Sequence, residues 1–156
     1  MIAIQRQGRE PVEIEFILMD FEGTLASHRR VHPKAKDKIN LLSKRTKIYI
    51  LTTGEKEVVS EVLKKVKAEI VYLPERGISE KKLDLLRQLG PTRTVAIGNG
   101  VDDAQMIEEA GLSICIMGKE GTSVEAMIKA DLIFTNILDA LDFLLKPLRQ
   151  KATLRK

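Results

Sequence analysis

The stretch ILMDFEGTLA, residues 17–26, places two carboxylates, Asp20 and Glu22, on either side of an aromatic residue where an apolar run meets Gly23-Thr24. A carboxylate in that position can attack an electrophile such as phosphorus and form a covalent intermediate. A second carboxylate beside it can pass a proton on and off. The pair also has a plain structural reading, because acids and glycine mark the point where a strand leaves the core. Other polar residues recur at equivalent places. Thr52 follows KIYIL and Gly98-Asn99 closes TVAIGN, each just past a run of apolar residues, and Lys82 lies near the start of a helical pattern.

The elements that must position these residues alternate between strand and helix. Residues 12–19 read as a first strand, preceded by a short IAI segment and a Gly-Arg-Glu-Pro turn. A helix carrying Ile39, Leu41 and Leu42 follows, then a buried strand over 47–52. EKEVVSEVLKKVK repeats apolar residues at Val58, Val59, Val62, Leu63 and Val66, the spacing of an amphipathic helix. EIVYL is a strand, and SEKKLDLLRQLG is a helix closed by Gly90 and Pro91. TVAIG and LSICIMG are strands around the helix DDAQMIEEAG, and TSVEAMIKA, DLIFT and ILDALDFLL follow. Such alternation, with near-continuous Val, Ile and Leu strands, predicts a parallel sheet with helices on both faces. Ligands bind such sheets beyond the carboxyl ends of the strands, where Asp20, Thr52 and Asn99 are expected to converge.

Length and composition set bounds. A chain of 156 residues, 44% apolar and 31% charged, reads as one ordinary globular domain whose core needs no disulfide or metal. The expected division is a core over residues 1–145, opened by a short strand segment within 1–11, and a basic tail over 146–156. That tail, KPLRQKATLRK, holds five basic residues and no acid and reads as a solvated end. Cys115 lies in an apolar run and reads as a small core residue. No apolar stretch approaches membrane-spanning length and no basic-then-apolar leader opens the chain, so a cytoplasmic protein without membrane contact is expected. A second basic cluster, SHRRVHPKAKDK, follows the first motif, but aromatics do not interleave with it, so no nucleic-acid partner is expected.

DFEGTL, IYILTTG, KKLDLLRQLG and AIGNGVDDAQM resemble, in order, the four motifs of the haloacid dehalogenase superfamily. They most resemble its soluble branch similar to the phosphorylation domain of P-type ATPases. The likeness runs from about residue 12 to residue 145. It implies a Rossmann-like three-layer sandwich with a mostly parallel central sheet. It also implies a Mg²⁺-dependent phosphatase acting on a phosphorylated small molecule through an aspartyl-phosphate on Asp20. An alternative is a catalytically weak or silent domain of that family, binding phosphate or a protein. A two-component receiver domain shares the phospho-aspartate but carries it after the third strand, so the motif order argues against it.

The resemblance also implies roles for single residues. Asp20 aligns with the nucleophile and Glu22 with the acid/base, where many relatives have Asp. Thr52, with Thr53 and Gly54 beside it, aligns with the motif that holds a phosphate oxygen; a capping box from Thr52 to Glu55 is its structural rival. Lys82 aligns with the lysine that counters charge on the nucleophile and the phosphoryl group. Its register with Leu86 and Leu89 favours it over Lys81. The Mg²⁺ ligands implied are Asp20, the Glu22 carbonyl, and Asn99 or Asp103; Asn99 stands where the family has an acid, which lowers the charge of the set. Arg29 and Arg30 fall in the family's mobile flap and could grip an anionic substrate. His28 and His32 in the same segment read as solvated. Only 32 positions separate Asp20 from Thr52 and 30 separate Thr52 from Lys82, which leaves no room for a cap domain. An uncapped site implies a bulky substrate or a homo-oligomer.

Overall fold

The computed structural model describes residues 1–154; Arg155 and Lys156, the last two residues of the expected basic tail, lie outside the described residues. In chain order the elements are β1 (Ile2–Ile4), β2 (Val12–Ile14), β3 (Phe16–Asp20), α1 (Pro33–Leu42), β4 (Lys47–Thr52), α2 (Lys56–Val62), β5 (Glu69–Tyr72) and α3 (Ile78–Leu89). Then come β6 (Thr94–Gly98), α4 (Ala104–Glu109), β7 (Leu112–Ile116), α5 (Val124–Lys129), β8 (Leu132–Phe134), α6 (Ile137–Leu145) and α7 (Pro147–Thr153). Strands β3 to β8 form one sheet in the order β5-β4-β3-β6-β7-β8, every neighbouring pair parallel.

Side chains alternate across a strand, and both faces of this sheet are apolar. Ile17, Met19, Ile48, Ile50, Val95 and Ile97 face one way and pack with α1, α2 and α6 through Ile39, Leu42, Val59 and Leu141. Leu18, Tyr49, Leu51 and Ala96 face the other way and meet Leu86 of α3 and Met106 of α4. A third cluster joins Ala104 and Ile107 of α4, Cys115 of β7 and Ala126 of α5. The helices after β3 and β4 therefore cover one face and those after β5, β6 and β7 the other. The winding reverses between β3 and β6, and the crevice at that reversal is where such sheets bind ligands. Asp20 has the parity of Leu18, so it shares its face of the sheet with α3.

The three-layer arrangement agrees with the expectation from sequence, and the segment between β3 and α1 is a loop, not a cap. Three local differences have physical causes. The single strand expected over 12–19 is two strands in two sheets. β2 pairs antiparallel with β1, in the register Ile2↔Ile14 and Ile4↔Val12. At Glu15 the chain changes sheets: its N–H donates to the Arg93 carbonyl at 2.8 Å and its own carbonyl accepts from Lys47 at 3.0 Å.

The helix expected to reach Lys67 stops at Val62, and Lys65 takes φ +66°. Its N-cap is Glu55 itself, without a side-chain bond, so the Thr52–Glu55 capping box does not form. The third difference is the C-terminal segment, whose described side chains are mostly exposed, as expected, but which is helical and anchored at one residue. Residues 147–153 form α7, and Gln150, 1% exposed, is its anchor. The Gln150 amide donates to the carbonyls of Phe143 at 2.8 Å and Leu144 at 3.2 Å, at the end of α6, and its oxygen accepts from Gln5 N–H at 2.9 Å. Helix ends leave carbonyls short of partners; the Phe143 carbonyl also accepts from Lys146 N–H, and the glutamine adds a bond there and one at Leu144.

Candidate active site

The polar groups predicted from the strand ends do meet. Asp20 ends β3, and Lys82, in the second turn of α3, reaches it across the shared face with Nζ 3.0 Å from Oδ1. Lys82 and Leu86 are four residues apart and so lie on the same side of the helix. Leu86 enters the core beneath and Lys82 sits above it at the sheet edge, while Lys81 is exposed. The same ammonium lies 2.7 Å from Asp103 Oδ1 and 3.1 Å from Asp102 Oδ2. Three carboxylates share one buried cation.

Asp103 is held from the other side as well. Its Oδ2 accepts from the backbone N–H of Asn99 at 3.0 Å and Gly100 at 3.1 Å. A Cβ on Gly98 would come within 2.5 Å of the Asp103 carboxyl carbon, so glycine is what lets β6 pass this close. Both Asp103 oxygens are thus engaged, which makes it a residue that positions Lys82 and the Asn99 loop. Asp103 Oδ1 accepts only from Lys82, so the expected role as a metal ligand stays open to its remaining lone pair.

Burial, and then the Asp103 charge, push the Asp20 carboxyl well above the usual carboxylate range; Lys82 opposes this without overcoming it. Asp103 is raised too, by burial and Asp102, against the pull of Lys82. Burial alone would lower Lys82, but Asp20, Asp103 and Asp102 together outweigh it and hold the ammonium firmly charged. Three carboxyl groups around one ammonium leave acids in excess on this flank, and the raised Asp20 and Asp103 answer that excess by holding protons more tightly.

The other flank of Asp20 is neutral. The Thr24 hydroxyl lies 3.4 Å from Asp20 Oδ2 and 3.1 Å from Asn99 Oδ1, so the two oxygens face one point. Gly23, at φ +77°, allows this approach: a Cβ there would stand 2.5 Å from Asn99 Nδ2. The Asn99 amide also donates to the Gly121 carbonyl at 3.2 Å. Thr52 ends β4, where its hydroxyl accepts from Gly54 N–H at 2.9 Å and donates to Glu22 Oε1 in a short bond.

The paired arginines expected over the site are divided. Ser27 and Arg30 exchange backbone hydrogen bonds of 3.0 Å in both directions, with His28 and Arg29 both at positive φ in the turn between them. Arg29 lines a pocket of about 350 Å³ with Glu22, Thr53 and Gly54. Arg30 lines a separate cleft of about 870 Å³ with His28, His32, Lys119 and Asn136.

A family model described as haloacid dehalogenase-like hydrolase matches residues 3–111, a span that holds all four motifs. The chain belongs to that family. An uncharacterised protein of Methanocaldococcus jannaschii is 38% identical over 85 residues, covering 54% of this chain and 91% of that protein. The 3-deoxy-D-manno-octulosonate 8-phosphate phosphatase of Moraxella catarrhalis, solved with magnesium, phosphate and KDO, superposes with a TM-score of 0.70 at 15% identity, covering 90% of this chain and 89% of that one. A cobalt-bound deoxy-D-mannose-octulosonate 8-phosphate phosphatase of Haemophilus influenzae gives 0.67 at 14% identity, covering 86% and 91%. These likenesses establish the shared fold.

Within this haloacid dehalogenase-like site, sequence reasoning passed over two features. Asp102 is a third carboxylate on Lys82, and the signal for it is an acid adjacent to Asp103 in the turn Val101–Asp103. The Glu22–Thr52 bond has no signal in the sequence, because it joins the loop after β3 to the end of β4, 30 residues on, and these meet only in the folded chain.

Proposed function

We propose that this protein is a Mg²⁺-dependent phosphatase that hydrolyses phosphomonoesters of small molecules through an aspartyl-phosphate on Asp20. The observation that carries the reading is Asp20 at the strand end, held 3.0 Å from the buried Lys82 ammonium at the reversal point of the sheet. The structural relatives described as phosphatases support it.

The donor set suits a hard divalent cation. An excess of acids surrounds Lys82, and Asp20 Oδ2 and Asn99 Oδ1 converge on the same hydroxyl. Among the described residues no group of three or more His, Cys, Asp or Glu is arranged to hold a metal alone, so amide and backbone oxygens must complete the set. Mg²⁺ accepts such oxygens and keeps several waters. Asp20, the Glu22 carbonyl and Asn99 would hold it. Bound there, the cation supplies charge neutralisation between the carboxylate and the incoming phosphoryl oxygens.

The chain's own groups account for the rest. An Asp20 oxygen attacks phosphorus, a new O–P bond forms and the ester O–P bond breaks. Lys82 holds Asp20 in place and counters its charge. Glu22, once released from Thr52, gives a proton to the departing oxygen. It then takes one from the water that attacks the acyl phosphate, restoring Asp20 and freeing inorganic phosphate. The Thr52 hydroxyl and nearby backbone N–H groups hold the phosphoryl oxygens, and Arg29 faces the bound substrate.

The test is hydrolysis of an aryl phosphate with and without Mg²⁺, by the natural protein and by Asp20→Asn. Activity that needs both the cation and Asp20 is expected. Activity that survives in Asp20→Asn would overturn the mechanism.

A further inference from the structure

An ammonium has three N–H bonds to give, and Lys82 has given all three: to Asp20 at 3.0 Å, to Asp103 at 2.7 Å and to Asp102 at 3.1 Å. None remains for a phosphoryl oxygen. If Lys82 contacts a phosphoryl group during the reaction proposed above, one carboxylate must let go. The three are not equivalent. Asp20 is fixed by the end of β3 and its side chain is 9% exposed, while Asp103 is 0% exposed and tied to two backbone N–H groups. Asp102 makes the longest of the three contacts, its side chain is 37% exposed, and it sits in a short turn ahead of α4 instead of in a strand. It is the partner that can leave at least cost.

The same pattern occurs at the second phosphate-holding group. The Thr52 hydroxyl oxygen accepts from Gly54 N–H and its one proton goes to Glu22, an exposed carboxylate where Asp102 is a half-buried one. Both donors placed to hold phosphate are therefore occupied by carboxylates reached from the solvent side. A carboxylate oxygen presents an ammonium or hydroxyl with much the same acceptor as a phosphoryl oxygen does.

We propose that Asp102 is an internal stand-in for a phosphoryl oxygen: it occupies the third donor of Lys82 in the resting protein and is displaced when a phosphate group enters. This rests on the reading of the site as a phosphate site. Asp102 is then a specificity-determining residue that acts on binding. It keeps Lys82 oriented while the site is empty, and its charge opposes an anion that does not bring enough binding energy to move it.

The consequence is an affinity that improves when a charge is removed. Asp102→Asn keeps the shape and removes the charge, so inorganic phosphate at saturating Mg²⁺ is expected to bind about tenfold tighter, a conservative figure for one nearby, partly screened charge. Asp102→Ala is expected to do the same, because it also frees the donor. Asp102→Glu, which keeps the charge, is expected to stay near the natural affinity. With an aryl phosphate, Asp102→Asn should lower KM with little change in kcat, the mark of uniform binding felt equally by the bound substrate and the transition state.

Calorimetric titration of inorganic phosphate into the natural protein and the three variants reads this without turnover. Phosphate affinity that is unchanged, weakened or undetectable in both Asp102→Asn and Asp102→Ala overturns the inference. The Asp20→Asn comparison separates the two questions: activity that persists there removes the phosphatase mechanism. Activity lost in Asp20→Asn, with no tightening in the Asp102 variants, removes the stand-in role alone.

Discussion

The two flanks of Asp20 are built on opposite plans. Toward α3 the site is buried and over-supplied with charge, with three carboxylates around one ammonium. Toward the Asn99 loop it is neutral, with a threonine hydroxyl and a primary amide where a carboxylate could stand. The first flank is assembled from a strand end, a helix and a short turn; Asp20, Lys82 and Asp103 are buried there, and Asp102 closes it from the solvent side. The second supplies oxygens without charge. Preorganised charge is most effective where water is excluded, so in the mechanism proposed above the lysine flank would fix Asp20 and the amide flank would be left to the cation.

Breaking the lysine flank should have the largest effect. Lys82→Met keeps the length of the side chain and removes the cation, leaving Asp20 and Asp103 buried against each other. Loss of one partner of a buried pair costs about 3–5 kcal/mol, so chemical denaturation should show a loss of that order, with hydrolysis gone. A variant as stable as the natural protein would mean that the carboxylates do not need Lys82.

The lysine was legible in the sequence because its register with Leu86 and Leu89 fixed which side of the helix it occupies. The strand ends were legible for the same kind of reason: apolar runs that stop at Asp20, Thr52 and Gly98 stop where the sheet does. What was hidden depended on contacts between distant segments. Gln150 sits among basic residues and reads as solvated, and only the terminal carbonyls of α6 and the Gln5 N–H explain its burial. Glu15 looks like one more residue of an alternating strand until Arg93 and Lys47 take its backbone groups. Asp102 is unremarkable until Lys82 is seen to have three donors to place.

The amide flank can be sharpened by giving it the missing charge. Asn99→Asp keeps an oxygen toward Thr24 and adds a formal negative charge, at the loss of the bond to Gly121. Half-saturating Mg²⁺ in the aryl phosphate assay should fall by about tenfold, equivalent to about 1.4 kcal/mol. In the absence of the cation the variant should melt lower, because a further carboxylate joins a region where acids are already in excess. Equal half-saturation in the two forms would remove Asn99 from the ligand set.

Between the flanks stands Glu22, whose extra methylene lets it reach the Thr52 hydroxyl. Glu22→Asp should shorten that reach, release Thr52 and place the carboxyl nearer the leaving oxygen. An increase in kcat of about tenfold is expected, since misplacement of about 1 Å can cost more than that, with less phospho-enzyme trapped on acid quench. A slower variant would show that the longer side chain is suited to this site.

The smallest effect tests the excess of acids itself. In the absence of divalent cations, burial and the Asp103 charge hold the folded-state Asp20 carboxyl well above its unfolded value near 3.9. From about pH 4 upward the folded state therefore keeps a proton that the unfolded state has lost. Stability from this group is fully present below the unfolded value and declines as pH rises through the folded one. Asn at position 20 fills the same space and does not titrate, and Lys82 still has Asp102 and Asp103 as partners. Asp20→Asn should therefore match the natural protein at low pH and exceed it in Tm as the pH climbs. Melting curves of both forms in a chelator, across this pH range, read the difference directly. A variant that is less stable at neutral pH would mean that Lys82 depends on the Asp20 charge, and that the lysine flank is balanced and not over-supplied.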